Sequence, residues 1–445
     1  MKEIEYINRD IDKELKEWKE KEDRKPLLLR GIRQCGKTSS IRKLGKSFHY
    51  FVEINLEKSE AARRVFSKDL NIQRICAQLE ELSGIPIIDG KTLLFIDELQ
   101  EEPEAIKALR YFHEERPELH VIGAGSLLEF ALKRISSFGV GRISSLYMKP
   151  FSFTEFLAAL GKDILLSSLA SASVDSHLSD VAHNELLEIY KVFLVVGGMP
   201  EAVSEYAKTG SILQARYVQQ DIITSLYDDF GKYGEEISPE ILTLILQFLL
   251  SRVCSQVSYN KNTIPGLDSK TIMKGIEILR NAGLIYPIYA SSCSSLPISA
   301  SVNLKRMKPL FADTGLYFSA TGLDVSQFTI ENDFSKLNIG NICELSVGLE
   351  LLKALNPHIK PELFFWTRDA DGSNRGTAEV DYVIQKGSSV IPIEVKARTQ
   401  GGMKSLWAFL EKKTSEYGIR TSLENFSSMD KLHIYPLYAI SKVYD

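Results

Sequence analysis

The 445-residue chain has little that would tie it to a membrane or an oxidising compartment. Its most apolar run, ILTLILQFLL at 241–250, is about half the length of a bilayer-spanning helix. Its five cysteines are scattered at Cys35, Cys76, Cys254, Cys293 and Cys343. No pair has metal-ligand spacing, and an odd, dispersed set is no disulfide framework. The opening MKEIEYINRDIDKELKEWKEKEDRK lacks the apolar stretch of a secretory leader. The expected setting is the reducing cytoplasm, with no membrane partner. Neither sign of charge dominates, and the net charge of −4 excludes a constitutive electrostatic coat on nucleic acid. A local basic face stays open. With 44% hydrophobic and 25% charged residues, disorder and coiled coil are excluded.

What is present begins with an expected exposed amphipathic helix over 2–22. Short apolar runs follow at PLLLRG, HYFVEINL, KTLLFIDEL, HVIGAGS and ISSLYMKPF, with helix-period segments between them. Strands alternating with helices predict a mostly parallel α/β sheet covered on both faces. The first run leads into GIRQCGKTS, which fits G-x-x-x-x-G-K-[ST] from Gly31 through Ile32, Arg33, Gln34, Cys35, Gly36 and Lys37 to Thr38, with Ser39 next. Glycines at those positions let backbone N–H groups wrap a phosphate at a helix N-terminus. Lys37 would reach the outer phosphates of ATP, and Thr38 offers Mg²⁺ a hydroxyl. Asp97, ending LLFID, would hold Mg²⁺, and Glu98 would deprotonate the attacking water. Ser126, ending the next strand, either reaches the terminal phosphate or caps a helix. Arg142 is either a surface residue or an arginine finger for a neighbouring protomer, so an oligomer is compatible with the sequence.

Residues about 150–230 read as helical, with SSLASASVDS expected as a loop. Residues 236–325 read as helix, turn, helix and two strands, with Asp268 or Ser269 capping the helix from Lys270. Residues 261–310 hold seven cations, Lys261, Lys270, Lys274, Arg280, Lys305, Arg306 and Lys308, against Asp268 and Glu277. That excess would suit nucleic-acid phosphates, DNA among them. Farther on, AEVDYVIQKGSSVIPIEVKA alternates on both sides of a turn. The alternation puts Asp381, Glu394 and Lys396 on one face of a hairpin. Glu344 lies upstream on a helix. Hard carboxylate oxygens at Glu344, Asp381 and Glu394 would suit a metal for phosphodiester cleavage, with Lys396 steadying the developing charge. A structural ion pair is the competing reading.

RGIRQCGKTS, LLFIDELQ, GAGSLLEF, GRISSLYMKPFSFTEF and VGGMPEAV, in this order, resemble prokaryotic AAA-type ATPases that carry a C-terminal DUF4143 region. The resemblance covers almost the whole chain. It implies an AAA-type ATPase core at 1–160, a helical lid at 161–235, a winged helix-turn-helix at 236–325 and, at 326–445, a restriction-endonuclease-like α/β domain. GGMPE at Gly197–Glu201 looks like the turn of STAND-type switches, in which Pro200 would abut the adenine; a plain helix stop accounts for it equally well. The implied function is ATP hydrolysis with Mg²⁺ coupled to action on DNA. The alternative is a STAND-like switch that binds a partner or DNA and cuts nothing.

Overall fold

The computed structural model of the chain describes residues 6–135, 141–233, 237–258, 263–325, 340–368, 377–397, 402–413 and 415–445. Lys261 and the expected boundary positions 236 and 326 lie outside the described residues. The backbone divides into two units. The first takes in 1–150 with short returns at 281–283 and 356–360, and the second takes in the rest.

The first unit is built on β1 (Leu27–Arg30), β2 (Tyr50–Asn55), β3 (Thr92–Asp97), β4 (His120–Ala124) and β5 (Ser144–Tyr147). They lie in the order β2-β3-β4-β1-β5, and every neighbouring pair is parallel. Parallel neighbours require crossover connections, which the helices Lys37–Gly45, Ile72–Ser83 and Pro103–Glu115 supply. β3 and β4 are buried along their whole length, as apolar runs without alternation require. Because all five strands run the same way, the segments after β1, β3 and β4 emerge at one edge. That carboxyl edge is where open parallel sheets bind ligands.

Of the helix expected over 2–22, positions 2–5 lie outside the described residues; within 6–22 the helix is Ile11–Glu20, and its Ile11, Leu15 and Trp18 are buried. Residues 6–10 stay out of it because their polar groups bond elsewhere. The Tyr6 hydroxyl meets Asp12 at 2.7 Å and Ser40 at 2.8 Å. The buried Arg9 guanidinium donates to the carbonyls of Cys35 (3.1 Å) and Lys149 (2.6 Å).

Among its described residues the second unit holds nine strands: β6 (Val257–Ser258), β7 (Ile285–Ser291), β8 (Val302–Phe311), β9 (Phe364–Arg368), β10 (Ala378–Lys386), β11 (Ser389–Val395), β12 (Gly418–Ser422), β13 (Ser427–Met429) and β14 (Leu432–Pro436). Their order is β13-β14-β12-β11-β10-β9-β7-β8-β6. The β7–β8 hairpin and the C-terminal strands therefore share one sheet, joined where Tyr289–Ser291 pair in parallel with Phe364–Trp366. Helices occupy 153–228. The first part of the Ser/Ala-rich stretch belongs to one of them, Asp163–Ser171, rather than to a loop. Its serines return hydrogen bonds to the preceding turn, Ser167 to Asp163 O and Ser168 to Ile164 O, both at 2.9 Å.

A buried carboxylate ties three segments of this unit together. Asp313 Oδ1 caps the helix Thr314–Thr321 by accepting from Leu316 N at 3.0 Å, and its Oδ2 accepts from Gly198 N at 2.6 Å. The Gly198 carbonyl in turn accepts from Phe151 N at 2.7 Å. Gly197 has φ +69°, and a Cβ there would lie 2.1 Å from Asp313 Oδ1. Glycine is required by both conformation and space. Gly197 ends the helix Asp180–Val196, and Pro200 opens Pro200–Thr209 at its first turn.

At the amino end of β4, His120 is buried against the rings of Trp18 and Phe48, with centroids 5.7 and 4.7 Å away. Its Nε2 donates to the Lys19 carbonyl at 3.1 Å, and burial pulls its pKa down to about 4. Unfolding restores an ordinary value of about 6.5. Between those values the unfolded chain binds the extra proton, so this histidine's contribution to stability is present above about 6.5 and is lost as pH falls toward 4. Urea unfolding across that window should show the wild type losing more stability on acidification than His120→Gln.

Candidate functional site

Three loops converge at the carboxyl edge of the first sheet. After β1 the chain turns through Gly31 (φ +150°), Gln34 (φ +63°) and Gly36 (φ +97°), and Gly36 then caps the helix Lys37–Gly45. Ile32 and Cys35 are buried, whereas Gln34 and Ser39 are exposed. A Cβ on Gly31 would sit 2.2 Å from the Met148 carbonyl oxygen. The Lys37 ammonium donates across the loop to the carbonyls of Gly31 (2.8 Å) and Ile32 (2.9 Å). Arg9 holds the loop from outside through the Cys35 carbonyl.

Asp97 ends β3 facing this loop, and its Oδ2 accepts from Thr38 Oγ1 at 3.3 Å. Burial, then the neighbouring Glu98 charge, pushes its pKa up. A cation held between Thr38 and Asp97 would relieve that field, and two hard oxygens at this separation fit Mg²⁺. Glu98 has left-handed backbone (φ +54°), a strained conformation for a residue with a side chain. The turn carries its carboxylate to β4, where Oε2 accepts from Ser126 N and Oγ, both at 3.1 Å, and from Gln100 Nε2 at 2.7 Å. The structure thus brings together Lys37, Thr38, Asp97, Glu98 and Ser126. Gln100 and Arg9 have no counterpart in the sequence reading: Gln100 is an ordinary polar residue after a motif, and Arg9 lies far from the loop in sequence. Arg142 bonds to Glu114, which also accepts from Arg110 at 2.9 Å.

In the second unit, Tyr382 pairs with Ile393, and the register carried one residue further sets Asp381 opposite Glu394. Lys396 meets Glu394 Oε1 at 2.7 Å, and Asp381 Oδ2 accepts from Val395 N at 2.8 Å. The Tyr382 hydroxyl donates to the Glu344 carbonyl at 2.7 Å. A fifth residue joins them. Lys308, on β8 and 1% exposed, sits 2.9 Å from Glu344 Oε1, 3.6 Å from Asp381 Oδ1 and in contact with Glu379. The sequence reading counted Lys308 toward a basic surface, but here it is the centre of an acidic cluster. Burial, then the Asp381 charge, pushes the Glu344 pKa up, and the same causes push Glu394 up to about 7. Among the expected cations, Lys270, Lys274, Arg280 and Lys305 are exposed. Asp268, rather than Ser269, caps their helix, accepting from Thr271 N at 2.7 Å.

Three families match this chain: an AAA domain (AAA_14) over 23–157 and two domains of unknown function, DUF8612 over 187–327 and DUF4143 over 339–440. Among solved structures, the chain is similar to a Walker-type ATPase of Pyrococcus abyssi, with 16% identity, 72% of this chain and 97% of that one covered, and a TM-score of 0.46. It is similar also to the Aeropyrum pernix ORC1 protein in complex with DNA (12% identity, 72% and 94% covered, TM-score 0.31). A third is a STAND protein with a tetratricopeptide repeat sensor from Pyrococcus horikoshii (15%, 79% and 46%, TM-score 0.28). No curated protein matches. No helix among the described residues is long and apolar enough to cross a membrane.

Gly31→Ala should cost about 1–3 kcal/mol of stability through the Met148 contact and the disfavoured φ. Chemical denaturation checks this, and an unchanged midpoint would show that the loop can shift to accept a methyl.

Proposed function

Because the chain belongs to the AAA-type ATPases that join an AAA_14 domain to a DUF4143 domain, we propose that its first unit binds ATP with Mg²⁺ and hydrolyses it. One observation carries this reading: Lys37, Thr38, Asp97, Glu98 and Ser126 meet at one edge of a parallel sheet. The loop from Gly31 to Ser39 would cradle the phosphates, and Thr38 and Asp97 would hold Mg²⁺, which neutralises phosphate charge when bound. Glu98 is the base that takes a proton from water. Ser126 and Gln100 set its position. A neighbouring protomer could engage Arg142 only if the bond to Glu114 yields.

DNA is the proposed partner of the second unit, through the exposed cations of the helix Ser269–Asn281 and of the tip of β8. The sequence division at 160, 235 and 325 is retained as a functional one: core, lid, winged helix and nuclease-like domain, with Pro200 in the lid as the adenine-facing turn. Lys308 favours the second reading of that last domain, a switch output that binds DNA or a partner without cleavage, because its ammonium already sits on two of the residues that a cutting site would use.

Lys37→Ala should abolish ATP binding by calorimetry. Glu98→Gln should bind ATP with near-normal affinity while turnover falls about 10²–10⁴-fold; retained turnover would show a different base. Lys270→Glu with Lys305→Glu should weaken duplex binding regardless of sequence. It should also flatten the log K against log salt slope by about 2, and an unchanged slope would place DNA elsewhere.

A further inference from the structure

We propose that Lys308 is the resident cation of the second unit's carboxylate cluster. It holds the seat that a divalent metal would need, and leaves this unit a metal-independent platform. This deepens the non-cleaving reading and rests on the same contact.

The fit of a metal fails on the donor set. A nuclease-like centre would draw oxygens from Glu344, Asp381 and Glu394. Glu344 Oε1 lies 2.9 Å from the Lys308 ammonium, Asp381 Oδ1 lies 3.6 Å from it, and Asp381 Oδ2 is taken by Val395 N at 2.8 Å. Glu394 Oε1 is paired with Lys396 at 2.7 Å. A Mg²⁺ or Mn²⁺ ion bonds oxygen at about 2.0–2.2 Å, so an ion sharing these oxygens would lie against a buried ammonium of like charge. Among the described residues, Glu394 Oε2 is the buried oxygen of the set without a partner, and a single oxygen does not make a metal site.

The cation is built in by packing. Lys308 interrupts the apolar run MKPLF, and burial opposes its charge, yet the surrounding carboxylates of Glu344, Asp381 and Glu379 outweigh that and raise its pKa. Its ring neighbour is Phe365, at 5.3 Å from the ammonium to the centroid. The helix Gly340–Ala354 comes close enough to seat Glu344 because Gly348 has no side chain: a Cβ there would lie 2.5 Å from the Tyr382 hydroxyl and 2.6 Å from Leu310 Cδ1. Residues four apart share a helix face, so the close approach at Gly348 carries Glu344 onto β8 and β10 together. In sheet order β7 and β9 lie between those two strands. Lys308 therefore bridges across the sheet rather than along a ladder.

The test is a Mn²⁺ titration followed by electron paramagnetic resonance, on the full chain carrying Asp97→Asn to silence the first unit. Adding Asp381→Asn should leave the titration unchanged. Replacing Lys308→Met in the same background should create one additional Mn²⁺ site, which Asp381→Asn then removes. A site in the Lys308-containing chain that Asp381→Asn abolishes would overturn the proposal. So would a folded Lys308→Met chain that binds no more Mn²⁺ than its parent. If Lys308→Met does not fold, the Asp381→Asn comparison decides alone. Plasmid nicking, assayed alongside, separates the two readings. Asp381-dependent Mn²⁺ binding without nicking overturns the resident cation and leaves the non-cleaving platform standing; Asp381-dependent nicking overturns both.

Discussion

The Lys308 ammonium lies among Glu344, Glu379 and Asp381, and the arrangement of the second unit around it follows from the cost of burying charge. An unpaired ammonium at 1% exposure is expensive, and removing one partner of a buried pair typically costs about 3–5 kcal/mol. Each element that supplies a carboxylate is therefore held to the others: β8 by the lysine, β10 by Glu379 and Asp381, and the helix Gly340–Ala354 by Glu344. The β7–β8 hairpin cannot leave the C-terminal strands without stranding that charge. This constraint adds to the backbone ladders.

The first unit treats its carboxylates differently. Asp97 is bonded by a threonine hydroxyl, and Glu98 by a serine, a backbone amide and a glutamine. These donors are neutral, and a hydrogen bond from one of them to a carboxylate is worth about 1.5–3 kcal/mol net, less than the about 3–5 kcal/mol lost on breaking a buried ion pair, so they can be exchanged for a water or a ligand at smaller cost. Among the described residues, Lys37 is likewise held by two carbonyls. Groups meant to change partners during a reaction are bonded weakly; groups meant to stay are bonded by opposite charge. That contrast agrees with the two proposed tasks, exchange of partners at the first cluster and permanence at the second.

How much was legible in the sequence follows the range of the interactions. The phosphate loop is local: its glycines, lysine and threonine are set by backbone conformation within eight residues, and Gly31 and Gly36 have the positive φ that favours glycine there. Asp97 and Glu98 were legible because a strand end is local too. Alternation placed Asp381 and Glu394 opposite one another, since a hairpin register needs only its turn, here at Gly387 with φ +59°. Lys308 was misplaced because its partners lie 36 to 73 residues away and on other elements. Its one local signal, a lysine inside MKPLF, was outweighed by its basic neighbours. Arg9 escaped for the same reason, and within the described residues the expected helix began too early because nothing local shows that Arg9 bonds to the loop. The conformation of GGMPE became interpretable only when Asp313, 115 residues away, proved to hold Gly198.

A set of metal-site residues in the right order is thus weaker evidence of a metal than it looks, because coordination depends on what else reaches the same oxygens. A divalent ion would link the integrity of this cluster to its free concentration, since a ligand that binds only the folded state stabilises by mass action. A lysine carried on the chain removes that dependence: the cation is present whenever the chain folds, at an effective concentration no dissolved ion matches. The cost is reactivity, because an ammonium can neither polarise a phosphate as a Lewis acid nor lower the pKa of a bound water. On the proposed reading, Lys308 in the place of a metal would trade cleavage for permanence.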